Sequence, residues 1–111
     1  MKILVTGGAG FIGSWLVEKL LENNEVVVID NLSTGKRELV PQNIVFYDCD
    51  IREHGHLLAI FEQEKPEMVF HLAANALLRR SLDDPLYDAS VNILGTISVL
   101  ECCRKTGVNK C

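Results

Sequence analysis

Thr6-Gly7-Gly8-Ala9-Gly10-Phe11-Ile12-Gly13 is the stretch on which the reading of this chain turns. Gly8, Gly10 and Gly13 satisfy a GxGxxG spacing, and Gly7, Gly10 and Gly13 satisfy GxxGxxG at the same time. Before it lies Lys2–Thr6, a short apolar run ended by glycines, as a buried strand is. After it, Phe11, Ile12, Trp15, Leu16, Leu20 and Leu21 recur at helical spacing, and Asn23-Asn24 supplies a stop. A strand, a glycine turn and a helix in that order make a cradle for an anion. The turn needs positive φ, and a pyrophosphate needs backbone with no Cβ in its way. Gly13 lets the helix lie close to the strand, and the open N–H groups at the helix start face the phosphates. The competing reading is a structural glycine turn in an unrelated α/β domain.

The next strand decides between them. Glu25–Asp30 (EVVVID) ends on an acid twenty residues beyond Gly10. A carboxylate there accepts from both adenosine ribose hydroxyls and repels a 2′-phosphate, which selects NAD over NADP. Its bland alternative is an acidic cap on a strand end. Lys36 and Arg37 lie close enough to meet a 2′-phosphate and so blur the choice.

Further out, Asn31–Asn43 is polar, punctuated by Gly35 and Pro41, and reads as a loop with at most one helical turn. Ile44–Tyr47 is a third strand. Arg52–Lys65 is a helix with Leu57, Leu58, Ile60 and Phe61 as its apolar stripe, and Pro66 separates it from a fourth strand, Glu67–Leu72. Asp83 or Asp84 caps a last helix with Pro85 in its first turn. Leu86, Val91, Ile93, Leu94, Ile97 and Leu100 carry that helix to Lys105, and Gly107 closes it. The alternation implies an α/β fold, a Rossmann-type doubly wound parallel sheet of four strands in the order 3-2-1-4, over a single domain of residues 1–111. Strand four then lies at an edge, with Val69 and Phe70 buried on both faces beside open N–H and C=O groups. Self-association through that edge is expected, unless the last helix shields it.

Composition agrees. The chain has 111 residues and is 48% hydrophobic, which supports a core and excludes disorder. Eleven basic against 15 acidic side chains leave a net charge of −4, against nucleic acid or an anionic membrane as the main partner. Ile3–Val17 is uncharged but holds four glycines and is too short to span a bilayer. It also makes a poor signal-peptide core, so a soluble cytoplasmic protein is expected. Cys49, Cys102, Cys103 and Cys111 contain no CxxC pair, and reduced thiols are expected. His54-Gly-His56 is a possible chelating pair with no carboxylate or thiolate at ligand spacing, more simply a solvated helix start; no metal is expected.

Together, TGGAGFIGS, VIDNLSTG at Val28–Gly35, Asp48-Cys49-Asp50-Ile51, HLAA at His71–Ala74 and DPLYDASVNILGT at Asp84–Thr96 resemble the extended short-chain dehydrogenase/reductase superfamily. Within it the likeness is greatest to the UDP-glucose 4-epimerases of the NAD-dependent epimerase/dehydratase group, and it covers the whole chain. The resemblance implies bound NAD as cofactor. Gly7, Gly10, Phe11, Ile12 and Gly13 would belong to the pyrophosphate turn. Asp30 and Asn31 would hold the adenosine ribose, with Ser33, Thr34 and Gly35 closing over the phosphate side. Asp50 and Ile51 would flank the adenine, Asp50 accepting from its exocyclic amine. Leu72, Ala73 and Ala74 would pass beside the nicotinamide ribose, where small side chains leave room. Asn92 would sit under the loop after strand four, or equally be a satisfied core amide.

Asn75 stands where the family mostly has Gln, and Trp15 where it commonly has His. Arg79, Arg80 and Ser81 resemble a stretch at the active-site mouth, and read as well as a solvated turn. The family runs to about three hundred residues, a Rossmann half plus a sugar-nucleotide domain. Its catalytic Ser/Thr and Tyr-x-x-x-Lys pair fall beyond Cys111, and neither Tyr47 nor Tyr87 has a Lys four residues on. The chain therefore reads as the cofactor-binding part of an epimerase, truncated, with no catalytic base of its own and a UDP-sugar partner only in a full-length relative. The rival readings are the same part of a nucleotide-sugar dehydratase or UDP-glucuronate decarboxylase, a non-catalytic NAD-binding module, and a decayed product without activity.

Overall fold

The structure is a computed structural model and describes residues 1–74 and 82–111. Four parallel strands, β1 (Lys2–Thr6), β2 (Glu25–Asp30), β3 (Val45–Asp48) and β4 (Met68–His71), lie in the order β3-β2-β1-β4. Helix α1 (Phe11–Leu20) follows β1, α2 (His54–Glu64) follows β3, and α3 (Pro85–Ala89) opens the last helical run. A π turn over Ser90–Gly95 then leads into α4 (Thr96–Thr106). The fold is thus the doubly wound Rossmann-type sheet that the alternation predicts.

Side chains alternate across the sheet, as the period of a strand requires. Leu4, Val27, Ile29 and Val69 face Leu57, Ile60 and Phe61 of α2 and Val99, Cys102 and Cys103 of α4. Ile3, Val5, Val26 and Val28 face the other way, onto Val17 of α1. Leu57 and Phe61 are fully buried, each contributing about 2–3 kcal/mol in area removed from water.

Strand and helix ends differ by one or two residues from the sequence reading, but three differences are physical. First, the apolar positions of α1 do not all face the core. Phe11, Ile12 and Trp15 are exposed, while Gly13, Ser14 and Val17 are buried. The reason is Gly13: a Cβ there would overlap the Gly7 carbonyl, so the glycine face must meet the strand and the large side chains turn outward. Second, the last helix is interrupted. The π turn seats Gly95 where a Cβ would lie 2.6 Å from the Ile51 side chain. Hydroxyls cover nearby carbonyls, Ser90 Oγ donating to Tyr87 O (2.7 Å) and Thr96 Oγ1 to Asn92 O (2.9 Å). Val91, Val99, Cys102 and Cys103 are buried, while Leu86, Ile93, Leu94, Ile97 and Leu100 point outward.

Third, part of the β4 edge is paired. Val69 N donates to Lys110 O (2.9 Å) and Asn109 N to Glu67 O (3.0 Å), so the tail begins to run beside β4. Val69 is buried, as expected, but Phe70 only partly. Asp84 caps α3 by accepting from Tyr87 N (3.0 Å), with Pro85 next in line, and Gly107 ends α4 at φ +75°. Both match the capping signals. Asn75, Arg79, Arg80 and Ser81 lie outside the described residues.

Candidate functional site

A cleft opens where the carboxyl ends of the strands meet the glycine turn, beside the point at which strand order reverses between β2-β1 and β4. Gly7 and Gly10 form its floor. Gly7 sits at φ +73°, and a Cβ on it would lie 2.7 Å from Ala73 N, so only glycine serves both the turn and the packing. Gly10 caps α1 with extended backbone, and Gly13 presses on the Gly7 carbonyl from behind. Phe11 and Ile12 carry exposed side chains and are not part of the lining; what they bring to the cradle is first-turn backbone.

Asp30 forms one wall, 8% exposed. Its Oδ2 accepts from Ala9 N (3.0 Å) and its Oδ1 from Leu32 N (2.7 Å), tying the end of β2 to the glycine turn. A carboxylate has about four acceptor sites, so lone pairs remain for a diol. Leu32 takes φ +60°, a left-handed residue between Asn31 and Ser33 that turns the loop over the cleft. Asn31 Oδ1 accepts from Ser33 N (3.1 Å), and Ser33 and Thr34 join the lining. Gly35 lies behind them, where a Cβ would meet Ala9 O at 2.8 Å. Arg37 is turned away, stacked on Phe46 at 4.6 Å and donating to Val40 O (3.0 Å).

The opposite end is built by Asp50 and Ile51. Arg52 donates to both oxygens of Asp50 from its side chain (2.9 and 2.6 Å) and to Oδ1 from its backbone N–H (2.9 Å), and Asn31 Nδ2 adds a fourth bond at 3.2 Å. The Arg52 hydrogen bonds, working against burial, hold the Asp50 carboxyl at about 2. Arg52 also lies 5.0 Å above the Tyr87 ring, and Tyr87 and Val91 close that side of the cleft. Leu72, Ala73 and Ala74 line the far wall after β4. Asn92 stands on the π turn next to Val91, its Nδ2 donating to Asp88 Oδ1 (3.0 Å).

Most of the residues singled out from sequence therefore meet in one place. Ile29, Cys49, Tyr87 and Val91 complete the lining, and Arg52 holds Asp50 from beside it. None is among the predicted site residues, although all but Arg52 fall within the quoted family segments. An aliphatic strand end, a lone arginine and a tyrosine without a lysine partner point to no ligand by themselves. The metal reading changes in detail. Cys49, Glu53 and His56 lie within 4.8 Å of one another, so a thiol and a carboxylate do stand beside His56. The exit of β3 brings them together, which linear spacing did not show. His54 instead bonds Ser98 Oγ (2.7 Å). Burial, then Glu53 and Asp50, push the Cys49 thiol up to about 12, so it holds its proton.

A parallel sheet in this order, a glycine cradle at a helix start and an acid closing the second strand define a dinucleotide-binding domain of the Rossmann type. The chain belongs to the NAD dependent epimerase/dehydratase family, whose profile matches residues 3–111. The UDP-glucose 4-epimerase of Thermus thermophilus, solved in complex with NAD, superposes with a TM-score of 0.94 at 49% identity, over 97% of this chain and 35% of that one. The UDP-glucose 4-epimerase of Mycolicibacterium smegmatis is 43% identical over 99% of this chain and 37% of its own length. The dTDP-glucose 4,6-dehydratase of Salmonella typhimurium is 41% identical over 95% and 31%. The chain spans about a third of the length of these relatives. Among the described residues, no helix is long and apolar enough to cross a membrane.

Proposed function

We propose that this chain holds NAD in the cleft and forms the NAD-binding N-terminal part of a nucleotide-sugar epimerase of the UDP-glucose 4-epimerase kind. The observation that carries the reading is the bond from Ala9 N to Asp30, which locks the glycine cradle and the ribose acid into one rigid corner. NAD would supply the chemistry, taking a hydride from the sugar C4 and returning it to the other face. The chain's own residues bind and orient. The first-turn amides of α1 take the pyrophosphate, Asp30 takes the ribose hydroxyls, and Asp50 faces the adenine amine. Ala73 and Ala74 leave room for the nicotinamide ribose.

Asp30 and the averted Arg37 support NAD over NADP, since a 2′-phosphate would meet a buried carboxylate and no guanidinium. The dehydratase likeness supports a second reading, the same role in a dTDP- or UDP-sugar dehydratase. Four free thiols suit the reducing cytoplasm, where we place the chain. The rest of the β4 edge supports self-association. NAD titrated into ¹⁵N-labelled protein should move the amides of Gly7–Gly13 and of Leu72–Ala74 together. Shifts confined to other surfaces would refute the site.

A further inference from the structure

Between β1, β4 and the last helix runs a chain of hydrogen bonds whose direction can be deduced atom by atom. Thr6 Oγ1 is fully buried and accepts from Ala73 N (3.2 Å) and from Leu72 N (3.1 Å), the latter shared with the Thr6 carbonyl (3.0 Å). A hydroxyl accepts two bonds and donates one. Its proton must therefore point to its third partner, His71 Nδ1, at 2.7 Å. Nδ1 is then the acceptor nitrogen of a neutral ring, and Nε2 carries the proton. That proton goes to Thr96 Oγ1 (2.9 Å), which in turn donates to the Asn92 carbonyl in the π turn (2.9 Å). Apart from Leu72 N, which the hydroxyl and carbonyl of Thr6 share, each donor has one acceptor, with a single tautomer of His71.

The amides at the start of this chain belong to the wall of the cleft. Leu72 and Ala73 line it, and their peptide lies against Gly7, where a Cβ would come within 2.8 Å of Leu72 C. A second ring proton on Nδ1 would face the Thr6 proton head-on. To relieve that clash, Thr6 must turn its hydroxyl, which releases Ala73 N, while Leu72 N keeps its bond to the Thr6 carbonyl.

We propose that His71, as the neutral Nε2–H tautomer, is a positioning residue that fixes the Leu72–Ala74 wall through Thr6 and the last helix through Thr96, so that protonating the ring loosens the cleft. Ligand affinity then falls in acid. This rests on the reading of the cleft as the NAD site. The partners of the ring from β1 and from α4 are both uncharged hydroxyls. Burial alone lowers its pKa from 6.5, with no contribution from a carboxylate or cation among the described residues. The ring is thus neutral at pH 7 and gains its proton only in more acidic solution.

The test begins with the full chain, free of nucleotide. Imidazole ¹⁵N shifts should show Nε2–H and a bare Nδ1. On acidification, the Leu72 and Ala73 amides should shift along the same titration as the ring, and Ala73 N should exchange with solvent, while Leu72 N stays held by the Thr6 carbonyl. A bare Nε2, or a ring that titrates while those amides stay still, would overturn the proposal. NAD affinity by calorimetry should fall roughly tenfold as the ring protonates, the loss expected for about one hydrogen bond. His71→Asn, whose Oδ1 can accept the Thr6 proton but cannot titrate, should keep affinity within a few-fold and abolish the pH dependence. His71→Leu should lose about tenfold at every pH. A pH dependence unchanged in His71→Asn would contradict the role. Should NAD fail to bind at any pH, the cofactor reading falls while the amide titration still decides the role of His71. The wild-type spectra need no variant, so a misfolded substitution leaves the proposal open to refutation.

Discussion

Two glycines separate steric need from mere permission. Gly13 faces the Gly7 carbonyl with no room for a Cβ, whereas a Cβ on Gly55 in the first turn of α2 would meet nothing within 4 Å. Gly13→Ala should cost about 3 kcal/mol or more, because the neighbour it strikes is backbone. Gly55→Ala should stabilise by about 0.5–1 kcal/mol through the unfolded chain. Urea unfolding of the two variants gives opposite signs if the cradle is packed as described. Asp50 supplies a pH signature. Its carboxyl sits at about 2 against an ordinary 3.8, so between those values the unfolded chain binds the extra proton. The Asp50 contribution to stability is present above 3.8 and is lost as pH falls towards 2. Asp50→Asn should flatten that part of the stability curve; an unchanged slope would mean that the Arg52 pair is broken in solution.

Among the elements, α1 and the last helix show what patterning can and cannot reveal. Strand order, the caps at Asp84 and Gly107 and the acid at Asp30 were legible, because each follows from a local rule about backbone or charge. The buried face of α1 was not, since periodicity counts Phe11, Ile12 and Trp15 as core while contact with the glycine turn is decided by Gly13 and Val17. Trp15→Ser should therefore change stability by under about 0.5 kcal/mol, and Val17→Ala should cost about 2 kcal/mol. The reverse ranking in thermal melts would put the aromatic face against the sheet. The π turn was illegible for a similar reason: it answers to Ile51, far away in sequence. The packing of α4 on α2 also hides its thiols. Burial pushes Cys102 up to about 11 and Cys103 to about 12, while Cys111 is exposed. A thiol reagent at mildly alkaline pH should modify Cys111 quickly, and Cys49, Cys102 and Cys103 only on unfolding. Rapid modification of all four would contradict this packing.

For the molecule as a whole, the sheet edge and the cleft make separate demands. Asn109 and Lys110 already pair with β4, so they blunt the edge that a four-stranded order leaves open. Removing Asn109–Cys111 should raise self-association in sedimentation at micromolar concentration, and equal sedimentation would place any association elsewhere. On the proposed reading, one rigid corner of the cleft binds NAD and rejects a 2′-phosphate. Calorimetry of NAD and NADP against the wild-type chain and Asp30→Asn decides this, since Asn keeps the shape and one of the two backbone bonds while removing the charge. NAD should bind near ~1 mM, about −4 kcal/mol, and more weakly in the variant, while NADP binds the variant as well or better. If Asp30→Asn weakens both cofactors alike, Asp30 is only the tie to Ala9, and the claim that it reads the ribose is wrong.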